Sequence, residues 1–141
     1  TCALPISEKN TFRYVNAGHN NPLIVNPQEK TVTPLKSGGV MLGIIEPNFL
    51  EEDVVEINVG EKLVIFSDGI PEAENKEGEF FSDETFEAWL IENGELGASQ
   101  MMAKLLDTIY NFTQGADQSD DITIIIIERV SEWEAQPKLF D

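Results

Sequence analysis

Residues Leu63, Val64, Ile65 and Phe66 follow one another with no polar alternation, a pattern that predicts a central strand covered on both faces. Weaker alternation surrounds it. Cys2, Leu4 and Ile6 alternate before the polar turn Glu8-Lys9-Asn10, and Phe12 and Tyr14 alternate with Arg13 in "TFRYVNA", so the first seventeen residues read as a hairpin. "GHNNP" then turns the chain, and short strands are expected at Leu23 to Asn26 and Thr31 to Leu35, on either side of "NPQEK". The glycine-rich link "SGGVMLG" leads to a strand in "EEDVVEIN". Beyond Ser67-Asp68-Gly69 the pattern changes. "PEAENKEGEFF" reads as a charged, mobile loop, and Ser82 is placed to cap a helix carrying Phe86, Trp89 and Leu90. Ser99 is expected to cap a second helix with an apolar stripe of Met102, Leu105, Leu106, Ile109 and Phe112, stopped near Gly115. "ITIIII", Ile122 to Ile127, is β-branched throughout and reads as a second buried strand, and residues 131–141 form a loosely ordered tail around Trp133. Strands, then two helices, then a strand define an α+β architecture with an antiparallel or mixed sheet and helices on one face.

Composition restricts what such a domain does. With 141 residues and 41% hydrophobic content the chain makes one domain with a real core. Its 26 acidic residues against 9 basic ones give a formal charge of −17, which repels nucleic acid and anionic membrane surfaces. Phosphorylated ligands are repelled too, so phosphate chemistry here needs cations to reverse the local sign. Cys2 is the sole cysteine, which excludes an internal disulfide and fits a reducing, cytoplasmic setting. No apolar stretch approaches the ~20 residues of a membrane span, and the opening residues lack both a signal-peptide pattern and an initiator Met. The N-terminus reads as a cut.

Two acidic motifs carry candidate chemistry. Asp68 ends one apolar strand and Asp120-Asp121 begin another; if the strands pair antiparallel, these carboxylates meet at one rim. Converging carboxylates share protons or bind cations, and oxygen-only ligands suit hard ions such as magnesium or manganese. Gly69 would then let the backbone approach the ion. The same residues also read as an ordinary Asp-Gly turn and a solvated strand start. A calcium loop on Asp117, Ser119, Asp121 and Glu128 fails at its sixth position, where Ile122 stands instead of Gly. His19, the only histidine, reads either as a turn residue bonded to backbone or as a ligand or general acid. Cys2, Met101, Met102 and Trp89 read as packing.

Taken together and in order, "YVNAGHNNPLIV", "SGGVMLGI", "KLVIFSDGIPEAENKEGEFF" and "QSDDITIIII" resemble the C-terminal two-thirds of the catalytic domain in the SpoIIE-like branch of the metal-dependent (PPM) serine/threonine protein phosphatases, over residues 1–130. The resemblance implies part of an α-β-β-α sandwich, mainly antiparallel, with helices on the outer face. It implies two Mn²⁺ or Mg²⁺ ions in an acidic cleft, with Asp68, Asp120 and Asp121 among the metal ligands and Gly69, His19 and Asn20 beside the cleft. Asp121 stands where relatives often have Asn. No side chain is implied as catalytic; metal-activated water attacks phosphorus. The implied substrate is a phosphoserine or phosphothreonine protein, of the anti-anti-sigma-like kind found in partner-switching circuits, and an upstream sensory domain or dimerisation is implied as well.

The family's Asp-x-x-Gly-His-Gly motif, which bridges the two metals, has no counterpart in this sequence. The resemblance places it ahead of Thr1, so the chain reads as an N-terminally truncated catalytic domain, inactive in isolation. A noncatalytic, phosphatase-like regulatory or binding module stays open beside that reading, as does a plain acidic interaction domain.

Overall fold

The apolar run at Lys62–Phe66 forms the inner strand β6 of a four-stranded sheet, in a computed structural model that describes residues 2–6, 10–36, 38, 51–116, 118 and 120–131. The elements are β1 (Cys2–Ile6), β2 (Thr11–Val15), β3 (Leu23–Asn26), β4 (Thr31–Pro34), β5 (Glu52–Glu56), β6, α1 (Asp83–Glu92), α2 (Ala98–Thr113) and β7 (Ile124–Glu128). The link around Gly39, residues Asp117 and Ser119, the side chains of β1 including Cys2, and the tail with Trp133 lie outside the described residues.

Two antiparallel sheets result, one ordered β1-β2-β5 and the other β4-β3-β6-β7. The expected hairpin pairs Cys2 with Val15 through Ile6 with Thr11. Period-two alternation on β3 and β6 then divides the apolar residues between two layers. Leu23, Val25, Val64 and Phe66 pack with Phe86, Leu90, Met101, Leu105 and Ile109 of the helices, while Ile24 and Leu63 pack with Tyr14, Leu35 and Ile57 on the side of the three-stranded sheet. The order of layers is therefore sheet, sheet, helices. This is the α+β sandwich of antiparallel sheets with helices on an outer face, and β6 is covered on both faces because it lies in the middle layer.

Ser82 caps α1 as its position predicts: its Oγ accepts the Thr85 N–H at 3.2 Å, and Asp83 and Glu84 sit favourably in the first turn. The start of α2 differs from expectation. Gly97, not Ser99, is the N-cap and offers no side chain; the Ala98 N–H instead donates to Glu128 Oε2 at 2.9 Å, a carboxylate brought in from β7. Glu128 in turn lies 3.5 Å from the buried Lys62 Nζ, which donates to the Gly94 carbonyl at 2.8 Å. The buried line on α2 is Met101, Leu105 and Ile109, whereas Leu106 is exposed and Met102 only partly covered, so the stripe is rotated from the expected one. β7 is also less buried than its β-branched sequence implies, because it ends its sheet's strand order and Ile125 is 49% exposed.

Candidate active-site cleft

The β6–β7 ladder carries both acidic motifs to one end of the four-stranded sheet. Its last pair is Phe66 with Ile124, and Ser67 extends it: the Ser67 N–H donates to the Thr123 carbonyl at 2.9 Å. Ser67 Oγ then bridges the two segments, donating to the Asp121 carbonyl at 2.8 Å and accepting the Thr123 N–H at 2.9 Å. Gly69 completes the fit. A Cβ there would lie 2.6 Å from the Asp121 carbonyl oxygen and 3.3 Å from that of Asp120. The close neighbour that this glycine admits is thus the Asp120-Asp121 backbone. Gly69→Ala is expected to cost about 1–3 kcal/mol, because backbone must move to make room. Thermal unfolding checks this, and an unchanged melting temperature would contradict it.

Asp68 is exposed and lines a cleft of about 890 Å³ whose floor includes Leu23 and Phe66. His19, Asn20 and Glu72 line the same cleft. Asp120 and Asp121 are also exposed but lie outside its lining; one carboxylate oxygen of Asp120 accepts the Asp121 N–H at 2.7 Å. The three aspartates therefore share a rim by backbone, and Asp68 alone among them faces the cleft. Oxygen donors of this kind suit a hard divalent cation in type. In number they fall short: among the described residues no three His, Cys, Asp or Glu side chains come together to hold a metal ion.

His19 is a turn residue bonded through its backbone, and it also lines the cleft. Asn16, buried beneath it, accepts the His19 N–H at 2.9 Å and donates to the His19 carbonyl at 2.8 Å, and Gly18 supplies the left-handed step at φ 75°. Asn16 thus anchors the turn, and its signal in the sequence is an Asn three residues before a turn, a recognisable side-chain-to-backbone anchor.

The segment after Asp68 is not the loose loop its charge suggests. Asn75 Oδ1 accepts the N–H groups of Glu77 and Glu79 at 3.0 and 2.9 Å, Glu74 and Phe80 form a β-bridge, and Phe81 and Ser82 donate to the carbonyls of Ala73 and Pro71 at 2.8 Å. Pro71, Ala73, Asn75 and Phe81 are buried. It is a small pinned hairpin, and it borders the cleft through Pro71, Glu72 and Phe80.

The fold superposes on part of PP2C-type phosphatase domains. The SiaA-PP2C domain of Pseudomonas aeruginosa superposes with a TM-score of 0.76 at 16% identity, over 89% of this chain and 49% of that one. The phosphatase domain of SpoIIE from Bacillus subtilis, presoaked with Mn, gives a TM-score of 0.64 at 16% identity, over 97% of this chain and 57% of that one. The sequence pattern of the family Stage II sporulation protein E (SpoIIE) matches residues 1–130, and the chain belongs to that family. Among characterised relatives, the phosphoserine phosphatase RsbU of Bacillus subtilis is 25% identical over 122 residues, and protein IcfG of Synechocystis sp. is 29% identical over 116 residues. The chain covers 36% of the length of RsbU and 18% of that of IcfG. No described helix is long and apolar enough to cross a membrane.

Proposed function

We propose that the protein removes phosphate from phosphoserine or phosphothreonine on a regulatory protein, with Asp68 as the anchor of the reaction site. The observation that carries this reading is the placement of Asp68: a SpoIIE-family chain holds an exposed carboxylate at the end of its central strand, in a cleft large enough for a phosphorylated side chain and its flanks. Cofactors in this proposal are Mn²⁺ or Mg²⁺, held by Asp68 and Asp120, with Asp121 adjacent and further oxygens from outside the described residues. Such ions supply an activated water and a positive spot that a chain of charge −17 otherwise lacks.

The chain's own residues have definable tasks. Ser67 and Gly69 fix the separation of the two acidic segments. Phe66 and Leu23 close the cleft from below against water, and the Asn16-anchored turn holds His19 and Asn20 at its wall. An anti-anti-sigma-like substrate and a cytoplasmic setting complete the proposal; the first rests on the family resemblance, the second on the lone cysteine.

The second reading is a noncatalytic, phosphatase-like regulatory or binding module, which the family match alone does not separate from a catalytic one. The test is phosphate release from phosphoserine and phosphothreonine proteins by the full-length gene product, with Mn²⁺ and with a chelator. Release that requires Mn²⁺ is expected. Tight phosphoprotein binding with no release under either condition would establish the noncatalytic module instead.

A further inference from the structure

Phe80 and Phe81 are neighbours with opposite fates. The Glu74–Phe80 bridge sends successive side chains to opposite sides. Phe81, 3% exposed, enters the helix-side core, where its ring meets that of Phe112 edge-on at 5.3 Å. Phe80 is left 58% exposed at the cleft that holds Asp68. A lone exposed aromatic is ordinary on a protein surface. This one is held at a fixed place beside a candidate reaction site, because the hydrogen bonds from Phe81 to Ala73, from Ser82 to Pro71 and from Glu79 to Asn75 immobilise the backbone on both sides of it. Pro71 and Pro34 add apolar lining to the same cleft.

We propose that Phe80 is a specificity-determining residue, which packs against an apolar side chain next to the phosphorylated Ser or Thr of the protein substrate. The inference rests on the phosphatase reading of the cleft and adds the chemistry of the substrate's flank. A rigid aromatic gives a large contact area and loses little conformational entropy on binding, which is why such residues dominate recognition surfaces. The remaining lining from α1 is acidic, through Asp83, Glu84 and Glu87, so the preferred segment is apolar or basic and an acidic flank is repelled.

The experiment uses the full-length gene product with Mn²⁺ and two phosphoserine peptides that differ only in the residue after the phosphoserine, Leu in one and Asp in the other. Wild type is expected to favour the Leu peptide in kcat/KM by roughly tenfold or more, a span typical of one apolar contact plus charge repulsion. Phe80→Ala should raise KM for the Leu peptide and bring the ratio several-fold closer to one, and Phe80→Trp should restore it. An unchanged ratio in Phe80→Ala, or an equal loss on both peptides, would overturn the proposal. Fluorescence anisotropy of the same peptides, labelled, gives a second arm that needs no turnover. If wild type releases no phosphate, the phosphatase reading fails, and the Leu-over-Asp binding ratio in wild type and Phe80→Ala still decides the role of Phe80.

Discussion

Asparagine in place of Asp68 is expected to lower Mn²⁺-dependent turnover of a phosphoserine protein by the full-length gene product at least about a hundredfold, equivalent to about 2.7 kcal/mol of barrier. The substitution is nearly isosteric and removes one negative charge from the cleft. A site that must attract cations in order to receive a phosphate loses most by losing a ligand charge. Folding should be spared. The Asp68 carbonyl accepts the Glu72 N–H at 2.9 Å, and that bond, like those from Ser67 across to Asp121 and Thr123, involves no Asp68 side-chain atom. Steady-state kinetics with a parallel melting curve checks both halves. Near-normal kcat in a folded variant would remove Asp68 from the reaction site.

Phe86→Ala is expected to destabilise the protein by about 3–5 kcal/mol, the range for truncating a fully buried aromatic. Phe86 is 0% exposed on the inner side of α1, and its ring meets that of Phe66 edge-on at 4.9 Å and 67°. Phe66 is also part of the cleft lining and lies two residues before Asp68. The cavity left by alanine would therefore remove the backing of the cleft floor, so activity should fall as well as stability. Urea unfolding measures the first effect; a loss below about 1 kcal/mol would mean that α1 does not hold that floor in place.

What the sequence revealed and what it hid separate by the range of the interactions involved. β3 at Leu23–Asn26, the doubly covered β6 and the Ser82 cap were legible because alternation and capping are written within a few residues. The meeting of the segments carrying Asp68 and Asp120-Asp121 was legible only on the condition that their strands pair antiparallel, a condition the β6–β7 ladder meets. The cap on α2 was illegible because its donor set is nonlocal: Glu128 reaches Ala98 from thirty residues away, and no local pattern competes with the obvious Ser99. The stripe on α2 was misplaced because Met102 and Leu106 are as apolar as Met101 and Leu105, so hydrophobicity alone did not fix which line turns inward. Charge disguised the hairpin after Asp68, since its order comes from one buried Asn75 and backbone bonds that its many glutamates do not announce. Gly69 was legible only as a position that admits a close neighbour; that the Asp120-Asp121 backbone is one such neighbour depends on a pairing about fifty residues away, which no local pattern shows.

Calorimetric titration of the full-length gene product with Mn²⁺, wild type beside Asp68→Asn, tests without reference to turnover the proposal that Asp68 makes this cleft a cation-dependent phosphate site. Wild type is expected to bind Mn²⁺, and the variant to lose at least one bound ion or to bind with an affinity lower by about 10–100-fold. Identical stoichiometry and affinity in the two proteins would contradict the proposal.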